Sequence, residues 1–600
     1  MREYSTPQTV RIAATGNLTD DIVRNAAEVP DAALFSRPGP DGPDGEAWQD
    51  VTAAQFLAEV RAVAQGLVAA GIEPGDRVGL LSRTRYEWTL LDYAIWFAGA
   101  VSVPIYETSS AVQIAWILGD SGSRAVVAED AAHLERIASV RADLPALEHV
   151  WALEDGAVAT LTATGAEVDA ADLEARRVAA GPEDAATLIY TSGTTGRPKG
   201  CILTHGNFET ELAVAVDQLH ELFEDEEAAT LLFLPLAHVF ARIIQIGAVK
   251  SRTRLGHSAD IKNLLASLDA FRPTFILGVP RVFEKVFNTA SQRAAADGKG
   301  RIFDRAVEVA IATSRAMDGG RTPVRLRAQR ALFARLVYRR LLAALGGNCR
   351  YVISGGAPLG ERLGHFYRGI GLNVLEGYGL TETTGALTVN LPDAQRIGTV
   401  GRPLPGTAVR VSDDGELLFR GGQVFRGYWN APDETAQVLG ADGWFHTGDV
   451  GEIDDEGFVR ITGRKKEILV TAGGKNVAPA VLEDRVRAHH LVSQCLVVGD
   501  GQPFIGALVT IDPEAYEVWA EQHHLSGPFS AHVDDPDLRA EIQAAVDDAN
   551  LAVSKAESIR KFTILPEDWT EDAGQITPSL KLKRNVVMRE CRDEIAALYL

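Results

Sequence analysis

Short apolar segments alternate with longer segments of helical length near the start of the chain. Residues 77–82, 101–105 and 124–128 are predicted strands, and residues 86–98 and 110–118 are predicted helices between them. Short apolar strands that alternate with helices are typical of βαβ units. Such units place parallel strands in a sheet whose faces are covered by helices. The pattern therefore predicts an α/β fold with layered, mostly parallel sheets.

The later part of the chain differs in the length and spacing of its predicted strands. Further apolar strands are predicted at residues 187–190, 231–235, 275–279 and 351–354. Beyond these segments the strands become short and are separated by Asp-Gly and Glu-Gly pairs, which favour hairpin turns. We predict a large N-terminal domain over residues 1–463, which includes a small β-barrel-like part. A small α+β domain is predicted over residues 464–600.

Charge and cysteine content exclude several classes of protein. The 600 residues include 59 Lys and Arg against 81 Asp and Glu, a net charge of −22. This charge repels a phosphate backbone, so no nucleic-acid polymer is expected as a partner. The 4 cysteines form no CxxC pair, which argues against a disulfide framework or a zinc site. With no predicted signal peptide or membrane span, we expect a cytoplasmic protein.

A glycine- and hydroxyl-rich motif, YTSGTTGRPKG, runs from Tyr190 to Gly200. Backbone N–H groups and hydroxyls in such a loop can surround phosphate oxygens, and Lys199 adds a positive charge. The spacing differs from that of a Walker A loop, which argues against a P-loop kinase or GTPase. A flexible surface loop is the alternative interpretation, but the full string favours phosphate binding.

Four further motifs follow in the chain. GYGLTET at 377–383 combines an aromatic ring, a threonine and a glutamate whose oxygens suit Mg²⁺. WFHTGD at 444–449 ends in a carboxylate that can accept hydrogen bonds from ribose hydroxyls. The last two are GRKKEILVTAGGKN at 463–476 and PSLKLKR at 578–584. In this order the motifs resemble those of the adenylate-forming superfamily, which includes acyl-CoA synthetases, peptide-synthetase adenylation domains and luciferase.

The resemblance covers nearly the whole chain and implies ATP-dependent chemistry in a cleft between a large domain and a mobile lid. The residues that match the phosphate loop are Thr191, Ser192, Gly193, Thr194, Thr195, Gly196 and Lys199. The residues that match the adenine and α-phosphate contacts are Gly355, Gly356, Ala357, Tyr378, Gly379 and Thr381. Asp449 and Arg464 match the ribose contacts. Glu382, helped by Thr191, matches the Mg²⁺ ligand.

The resemblance also implies roles for three residues in catalysis. Lys581 matches the catalytic lysine, although the sequence before it is Ser-Leu rather than the commoner Ser-Gly, and Lys583 remains an alternative. His238 matches a histidine near the substrate carboxylate, the alternative being a histidine of the core. Lys466 matches the hinge about which the lid rotates after adenylate formation. A thiol then attacks the acyl-adenylate.

The segment FRPTFILGVPRVFEK at 271–285 and the long insertion after it resemble bacterial long-chain fatty acyl-CoA synthetases. This resemblance implies a fatty acid–CoA ligase that uses ATP, Mg²⁺ and CoA. Some such enzymes have a tryptophan gate shortly after the position of His238, but Arg242 stands here. The alternatives are a fatty acyl-AMP ligase that loads a carrier protein, a CoA ligase for shorter or aromatic acids, and a non-catalytic lipid- or nucleotide-binding relative.

The segment from Arg321 to Arg340 contains seven arginines and no acidic residue, interleaved with apolar residues. A basic amphipathic helix can rest on an anionic membrane surface. The alternative is a helix that packs on the domain and leaves a solvated basic face. The first interpretation predicts peripheral contact with the inner face of the membrane. A monomer and a homodimer are both compatible with the sequence.

Overall fold

The computed structural model describes residues 1–39, 48–191, 197–225, 227–259, 263–571, 573–577 and 581–600. The strands are β1 (Glu3–Ser5), β2 (Ala33–Pro38), β3 (Trp48–Thr52), β4 (Arg77–Leu81), β5 (Val101–Ile105), β6 (Ala125–Ala128), β7 (His149–Ala152), β8 (Ala185–Thr191), β9 (Lys199–Thr204), β10 (Ala229–Leu232), β11 (Arg254–His257), β12 (Phe275–Gly278), β13 (Tyr351–Ser354), β14 (Asn373–Leu380), β15 (Gly385–Val389), β16 (Arg402–Pro403), β17 (Ala408–Val411), β18 (Glu416–Arg420), β19 (Gly427–Tyr428), β20 (Phe445–Ile453), β21 (Val459–Arg464), β22 (Leu469–Val470), β23 (Asn476–Val477), β24 (Val492–Val498), β25 (Ile505–Ile511) and β26 (Ile559–Ile564).

The helices are α1 (Asp20–Glu28), α2 (Ala53–Ala69), α3 (Tyr86–Phe97), α4 (Ala111–Ser121), α5 (Ala131–Ser139), α6 (Ala157–Thr164), α7 (Ala170–Ala179), α8 (His205–Gln218), α9 (His220–Phe223), α10 (Val239–Ser251), α11 (Leu264–Phe271), α12 (Pro280–Ala296), α13 (Gly300–Asp318), α14 (Val324–Phe333), α15 (Arg339–Ala343), α16 (Glu361–Ile370), α17 (Pro432–Val438), α18 (Pro479–Arg487), α19 (Pro513–Gln522), α20 (Pro536–Asn550), α21 (Arg584–Glu590) and α22 (Arg592–Leu598).

Two large sheets form the body of the N-terminal part. Their strand orders are β19-β9-β8-β5-β4-β6-β7 and β16-β15-β14-β13-β12-β10-β11-β2-β3. The central strands of both sheets run parallel. Antiparallel strands lie at the edges. The predicted layered, mostly parallel α/β architecture is confirmed.

Helices α3, α8 and α10 join the two sheets through one hydrophobic core. That core contains Leu80 and Leu203 of one sheet together with Phe35 and Leu277 of the other. Nearly every residue of α3 is buried, as expected for a predominantly apolar helix in the interior of a large protein. The core therefore fixes α10 relative to strand β8, which leads into the predicted phosphate loop.

A third, five-stranded antiparallel sheet has the order β1-β17-β18-β20-β21. Its apolar side chains form a separate small core that includes Val409, Phe419 and Val459. This sheet corresponds to the predicted β-barrel-like part. The sequence did not predict its first strand, because the N-terminal segment is polar and joins the sheet only through pairing with distant β17.

The C-terminal part is built from the sheet β24-β25-β26 and helices α18 to α22. Its two hydrophobic clusters draw their buried residues only from position 469 onwards. The last strand of the five-stranded sheet ends at Arg464. The division after residue 463 stays a prediction, and these bounds are compatible with it.

Several element boundaries differ from the predicted ones. The predicted strand at 231–235 is observed at Ala229–Leu232, since Pro235 has no N–H to donate and disfavours continuation of the ladder. The predicted basic helix divides into α14, a wider turn at Ala334–Tyr338, and α15.

Across the described residues, we found no helix with the length and apolar composition needed to cross a membrane.

Candidate active site

Strands β8 and β9 hold the two ends of the predicted phosphate loop together. Thr191 is the last residue of β8, Lys199 is the first residue of β9, and the two are partners in the antiparallel ladder. The intervening Ser192, Gly193, Thr194, Thr195 and Gly196 lie outside the described residues. The ladder therefore fixes where the loop leaves and rejoins the sheet.

Tyr428 connects Lys199 to Glu382. Its strand, β19, pairs with β9, which places the Lys199 ammonium 5.1 Å from the centre of the Tyr428 ring. The Tyr428 hydroxyl donates to Glu382 Oε1 at 2.8 Å. Burial raises the pKa of Tyr428, and the Glu382 charge raises it further, so the phenol stays a donor. Sequence analysis missed Tyr428, whose only local signal is an aromatic residue after Gly427.

Glu382 and Thr381 lie on a short 3₁₀ turn, Thr381–Thr383, between β14 and β15. The backbone N–H of Phe425 donates to the carbonyl of Glu382 at 2.8 Å. Tyr428 binds one carboxylate oxygen of Glu382, and none of the described residues donates a hydrogen bond to the other, which can take a further ligand. In the described part of the chain, no group of three or more His, Cys, Asp and Glu side chains is arranged to hold a metal ion.

The predicted adenine-binding segment follows the end of β13. Gly355 is buried, while Gly356 and Ala357 are exposed. A Cβ atom at Gly355 would lie 3.0 Å from the Phe240 ring at the start of α10. A side chain at this position would therefore press on the Phe240 ring, so the glycine lets the β13 loop pass close to the helix that follows His238.

Tyr378 and Gly379 lie on β14, where a register irregularity separates them in the pairing with β15. A Cβ atom at Gly379 would lie 1.5 Å from the carbonyl oxygen of Gly385, a distance that no side chain tolerates. The glycine thus permits the close approach of the two strands. This approach places Tyr378 beside the neighbouring five-stranded sheet.

Asp449 lies between Tyr378 and Arg464. The Tyr378 hydroxyl donates to Asp449 Oδ2 at 2.5 Å, and Arg464 Nε lies 2.9 Å from Asp449 Oδ1. Burial raises the pKa of Asp449, while Arg464, the Tyr378 hydrogen bond and Lys581 oppose this rise. Burial alone would lower the pKa of Arg464, but Asp449 acts together with Tyr378, Glu467 and Glu382, and the pKa is raised. The carboxylate is thus held in place by two donors.

His238 caps the start of α10. The backbone N–H of Phe240 donates to His238 Nδ1 at 3.1 Å, which requires that nitrogen to be unprotonated. Burial and then the nearby charge of Lys581 lower the pKa of His238 to about 3. The ring is therefore neutral at physiological pH and is placed on the same side of the site as Lys581.

Lys581 reaches the same region from the C-terminal part. Its N–H donates to Thr577 Oγ1 at 3.0 Å, and its carbonyl accepts from the Thr577 N–H at 2.8 Å. Partial desolvation by the surrounding protein lowers the pKa of Lys581, and the positive charge of Arg464 lowers it further. The negative charge of Asp449 opposes both effects. Part of the Lys581 side chain remains in contact with solvent. Lys583 instead directly precedes the start of α21.

Contacts between the two parts hold this arrangement. Arg281 on α12 donates to the Ser493 carbonyl at 2.9 Å and to its hydroxyl at 3.1 Å, and Lys285 pairs with Glu514 at 3.2 Å. Lys466 is exposed in a short 3₁₀ turn directly after β21. It lies where the chain passes from the five-stranded sheet to the C-terminal part, two residues after Arg464.

The described residues therefore form two adjoining clusters. One contains Lys199, Tyr428 and Glu382, and the other contains Tyr378, Asp449, Arg464, His238 and Lys581. The charge of Glu382 acts on Arg464, which places the clusters side by side. These clusters suit a ligand that carries phosphates and hydroxyls. Lys199 and Lys581 offer positive charge, Glu382 offers a carboxylate oxygen, and Asp449 offers a buried carboxylate that accepts hydrogen bonds.

Comparison with protein families agrees with this geometry. The AMP-binding enzyme family matches residues 22–429, and the C-terminal domain of AMP-binding enzymes matches residues 466–600. The chain therefore belongs to the AMP-binding enzyme family. The predicted membership of the adenylate-forming superfamily is confirmed.

Named relatives cover the full chain. It is 52% identical to the long-chain-fatty-acid–CoA ligase FadD15 of Mycobacterium tuberculosis, over 100% of both chains. It is 31% identical to the long-chain-fatty-acid–CoA ligase ACSBG2 of Xenopus laevis, over 92% of this chain and 80% of that protein. The anthranilate CoA ligase AuaEII, solved with anthranoyl-AMP, shares the fold with a TM-score of 0.73 at 21% identity, over 98% of this chain and 99% of that one.

Proposed function

We propose that the protein is a long-chain fatty acid–CoA ligase that forms acyl-CoA, AMP and pyrophosphate from a fatty acid, ATP and CoA. The observation that carries the proposal is the convergence of Lys199, Glu382, Asp449 and Lys581 from distant parts of the chain. The full-length similarity to ligases named for long-chain fatty acids supports the choice of substrate. The boundary between the catalytic domain and the lid is proposed at residues 463 and 464.

In the first half-reaction, an oxygen of the fatty acid carboxylate attacks the α-phosphorus of ATP. A new P–O bond forms, the bond to the β-phosphate bridging oxygen breaks, and pyrophosphate leaves. Asp449 and Arg464 bind the ribose, Tyr378 contacts the adenine, and Thr381 contacts the α-phosphate. Lys199 and Lys581 stabilise charge that develops on the phosphate oxygens. Positioning removes the entropic cost of bringing two anions together.

Mg²⁺ fits the residues present. One carboxylate together with the phosphates of a nucleotide is a usual donor set for Mg²⁺, and Glu382 keeps one oxygen free of the Tyr428 hydrogen bond. Thr191 supplies a hydroxyl at the end of β8. When bound, the ion would neutralise phosphate charge during displacement. His238, neutral and near Lys581, lies on the side proposed for the carboxylate.

In the second half-reaction, the thiolate of CoA attacks the acyl carbonyl. The carbon–oxygen bond to AMP breaks, and AMP leaves with the oxygen that the carboxylate contributed. We assign Lys466 as the hinge of the lid rotation that separates the two steps. Its exposed position in the short turn after β21 suits a residue whose backbone changes conformation.

Peripheral membrane contact is proposed for the exposed face of α14 and the turn after it. Leu332 and Leu336 are 56% and 51% exposed, and they are one helical turn apart among exposed arginines. The exposed arginines of this segment are Arg321, Arg325, Arg327, Arg335, Arg339 and Arg340. Phe333 instead packs into the core. Exposed leucines within a basic surface suit an anionic lipid surface, where fatty acids partition.

The experiment that tests the proposed function incubates the protein with ATP, Mg²⁺ and acids from acetate to palmitate, with and without CoA. Palmitoyl-CoA that appears only with CoA, together with AMP, is the expected product. Palmitoyl-AMP that persists despite CoA would favour a ligase that loads a carrier protein. Turnover of short or aromatic acids alone would overturn the proposed substrate.

A further inference from the structure

Arg242 forms a fully buried ion pair with Asp92. Neither side chain is accessible to solvent, and Nη2 of Arg242 lies 2.7 Å from both carboxylate oxygens of Asp92. The same guanidinium donates to Thr187 Oγ1 at 2.6 Å and to Ser102 Oγ at 3.1 Å. Because Asp92 is on α3, Thr187 on β8 and Ser102 on β5, one side chain of α10 ties three other elements together.

Apolar rings enclose this charge. The guanidinium carbon of Arg242 lies 5.3 Å from the centre of a Trp88 ring, 5.5 Å from Trp96 and 5.9 Å from Phe208. Removing two charges from water costs free energy that their attraction does not fully return, and apolar residues of similar volume often serve stability as well. A role in stability alone therefore does not account for the pair.

The two elements joined by Arg242 lead directly to the proposed reactants. Strand β8 continues from Thr187 to Thr191, which borders the phosphate loop. Helix α10 begins next to His238, and the backbone N–H of Arg242 donates to the His238 carbonyl at 3.3 Å. The guanidinium thus joins the strand on the phosphate side of the site to the helix turn on the carboxylate side.

We propose that Arg242 is a positioning residue for adenylate formation, which sets the placement of the phosphate-loop strand relative to His238. This inference rests on the proposed function. A displacement of about 1 Å at distant positioning groups can lower a rate roughly 100-fold, because the reacting atoms must be aligned. The guanidinium reaches Thr187 through Nη1 and both Asp92 and Ser102 through Nη2, a spread of donors that the single nitrogen of a lysine ammonium does not reproduce.

Three variants test the proposal. Thr187→Val removes the hydroxyl that ties Arg242 to β8 and keeps the side-chain volume. Arg242→Lys keeps a charge beside Asp92 and loses the fork. Thr230→Val is the matched control, because Thr230 is also fully buried on a strand and its hydroxyl has no hydrogen-bond partner within the described residues. Thermal unfolding first establishes that each variant is folded.

The measurements separate the two half-reactions. We expect kcat for palmitate-dependent ATP–pyrophosphate exchange to fall roughly 10- to 100-fold in Thr187→Val and Arg242→Lys. Thioester formation from supplied palmitoyl-AMP should stay within about twofold of the wild type. Thr230→Val should behave as the wild type in both assays. Unchanged exchange in the first two variants, or an equal loss in both half-reactions, would overturn the proposal.

ATP affinity, measured by calorimetry without any acid, provides a readout that does not depend on the acyl substrate. We expect weaker ATP binding in Thr187→Val and Arg242→Lys but not in Thr230→Val. Wild-type protein that binds ATP but shows no exchange with palmitate would overturn the proposed substrate. Equal ATP affinity in all four proteins would instead overturn the role of Arg242 in placing the phosphate-loop strand.

Discussion

Asp449 and Arg464 face each other on the antiparallel strands β20 and β21, with Arg464 Nε 2.9 Å from Asp449 Oδ1. The Asp449 side chain is 4% exposed, whereas that of Arg464 is 42% exposed. Arg464 is the last residue of the sheet and directly precedes the turn that contains Lys466. The proposed ribose-binding pair therefore lies at the proposed boundary between the large domain and the lid.

Replacement of Asp449 should weaken the use of ATP. Hydrogen bonds to a charged group contribute about 1.5–3 kcal/mol each, so Asp449→Ala should lower kcat/KM for ATP roughly 10- to 100-fold. Tyr378→Phe is the control, since it keeps the ring and removes only the hydroxyl that donates to Asp449. It should lower kcat/KM for ATP less than Asp449→Ala does, because the Asp449 carboxylate remains available to the ribose. Steady-state kinetics with ATP varied would contradict the assignment if the Asp449 variant matched the wild type.

Lys581→Ala should block adenylate formation and spare thioester formation from supplied acyl-AMP. The lysine lies near Asp449, Arg464 and His238, where it can stabilise charge on the transferred phosphate. Loss of one such group typically costs a factor of about 100 to 1,000. Lys583→Ala serves as the control, because Lys583 is the neighbouring lysine of the same segment and directly precedes α21. Comparable losses in both half-reactions, or a larger loss for Lys583→Ala, would refute the assignment of Lys581.

Lys466→Pro should have the converse effect. Proline fixes φ and restricts the residue before it, so lid rotation about this position should be hindered. We expect ATP–pyrophosphate exchange to continue while thioester formation from acyl-AMP slows. Lys466→Ala keeps backbone freedom and should retain both activities. Slow exchange with intact thioester formation would show that the hinge lies elsewhere.

We predict that the folded protein loses stability in mild acid, because two of its histidines are buried in the neutral form. Burial lowers the pKa of His205 and of His257 to about 4. The folded state therefore binds fewer protons than the unfolded chain below pH ~6.5, the ordinary histidine value. Their contribution is present above that pH and is lost as pH falls toward 4. At pH 5 each histidine should lower the free energy of unfolding by about 2 kcal/mol.

The measurement is the thermal unfolding midpoint between pH 7.5 and pH 5. His257→Gln should reduce the decrease in midpoint, since glutamine takes up no proton. His220→Gln is the control, because the His220 side chain is 58% exposed. The same decrease in wild type and His257→Gln would argue against a buried neutral His257.

The proposed membrane contact depends on Leu332 and Leu336. Replacing both by serine should weaken binding to vesicles that contain phosphatidylglycerol roughly tenfold or more, because the apolar insertion is lost. Leu551→Ser is the control, since Leu551 is 81% exposed on the C-terminal part. Vesicle flotation measures the bound fraction. Binding that depends on neither leucine nor on anionic lipid would exclude this surface.

The sequence predicted the α/β class and most strands because their signal is local. Apolar runs such as β4 and β5 need only short-range information to be recognised. The N-terminal strand β1 was not predicted, since its three residues gain order only through β17, far along the chain. Likewise, the helix ending at Phe333 depends on packing that a basic amphipathic pattern does not reveal.

The candidate site also contains residues that local motifs reveal and residues that only the folded chain brings together. Lys199, Glu382, Asp449 and Lys581 stand in motifs that a sequence displays, and those motifs led to the family. Tyr428 was missed because its role arises from pairing of β19 with β9 and from the approach of the turn at Glu382. The Arg242–Asp92 pair was missed because two residues 150 positions apart meet only in the folded chain.

The central claim is that a carboxylate oxygen attacks the α-phosphorus of ATP. The most direct test supplies palmitate with both carboxylate oxygens labelled with ¹⁸O, together with ATP, Mg²⁺ and CoA, and analyses the products by mass spectrometry. The account predicts one ¹⁸O atom in AMP and unlabelled pyrophosphate. Unlabelled AMP, or label in inorganic phosphate with ADP as product, would contradict it.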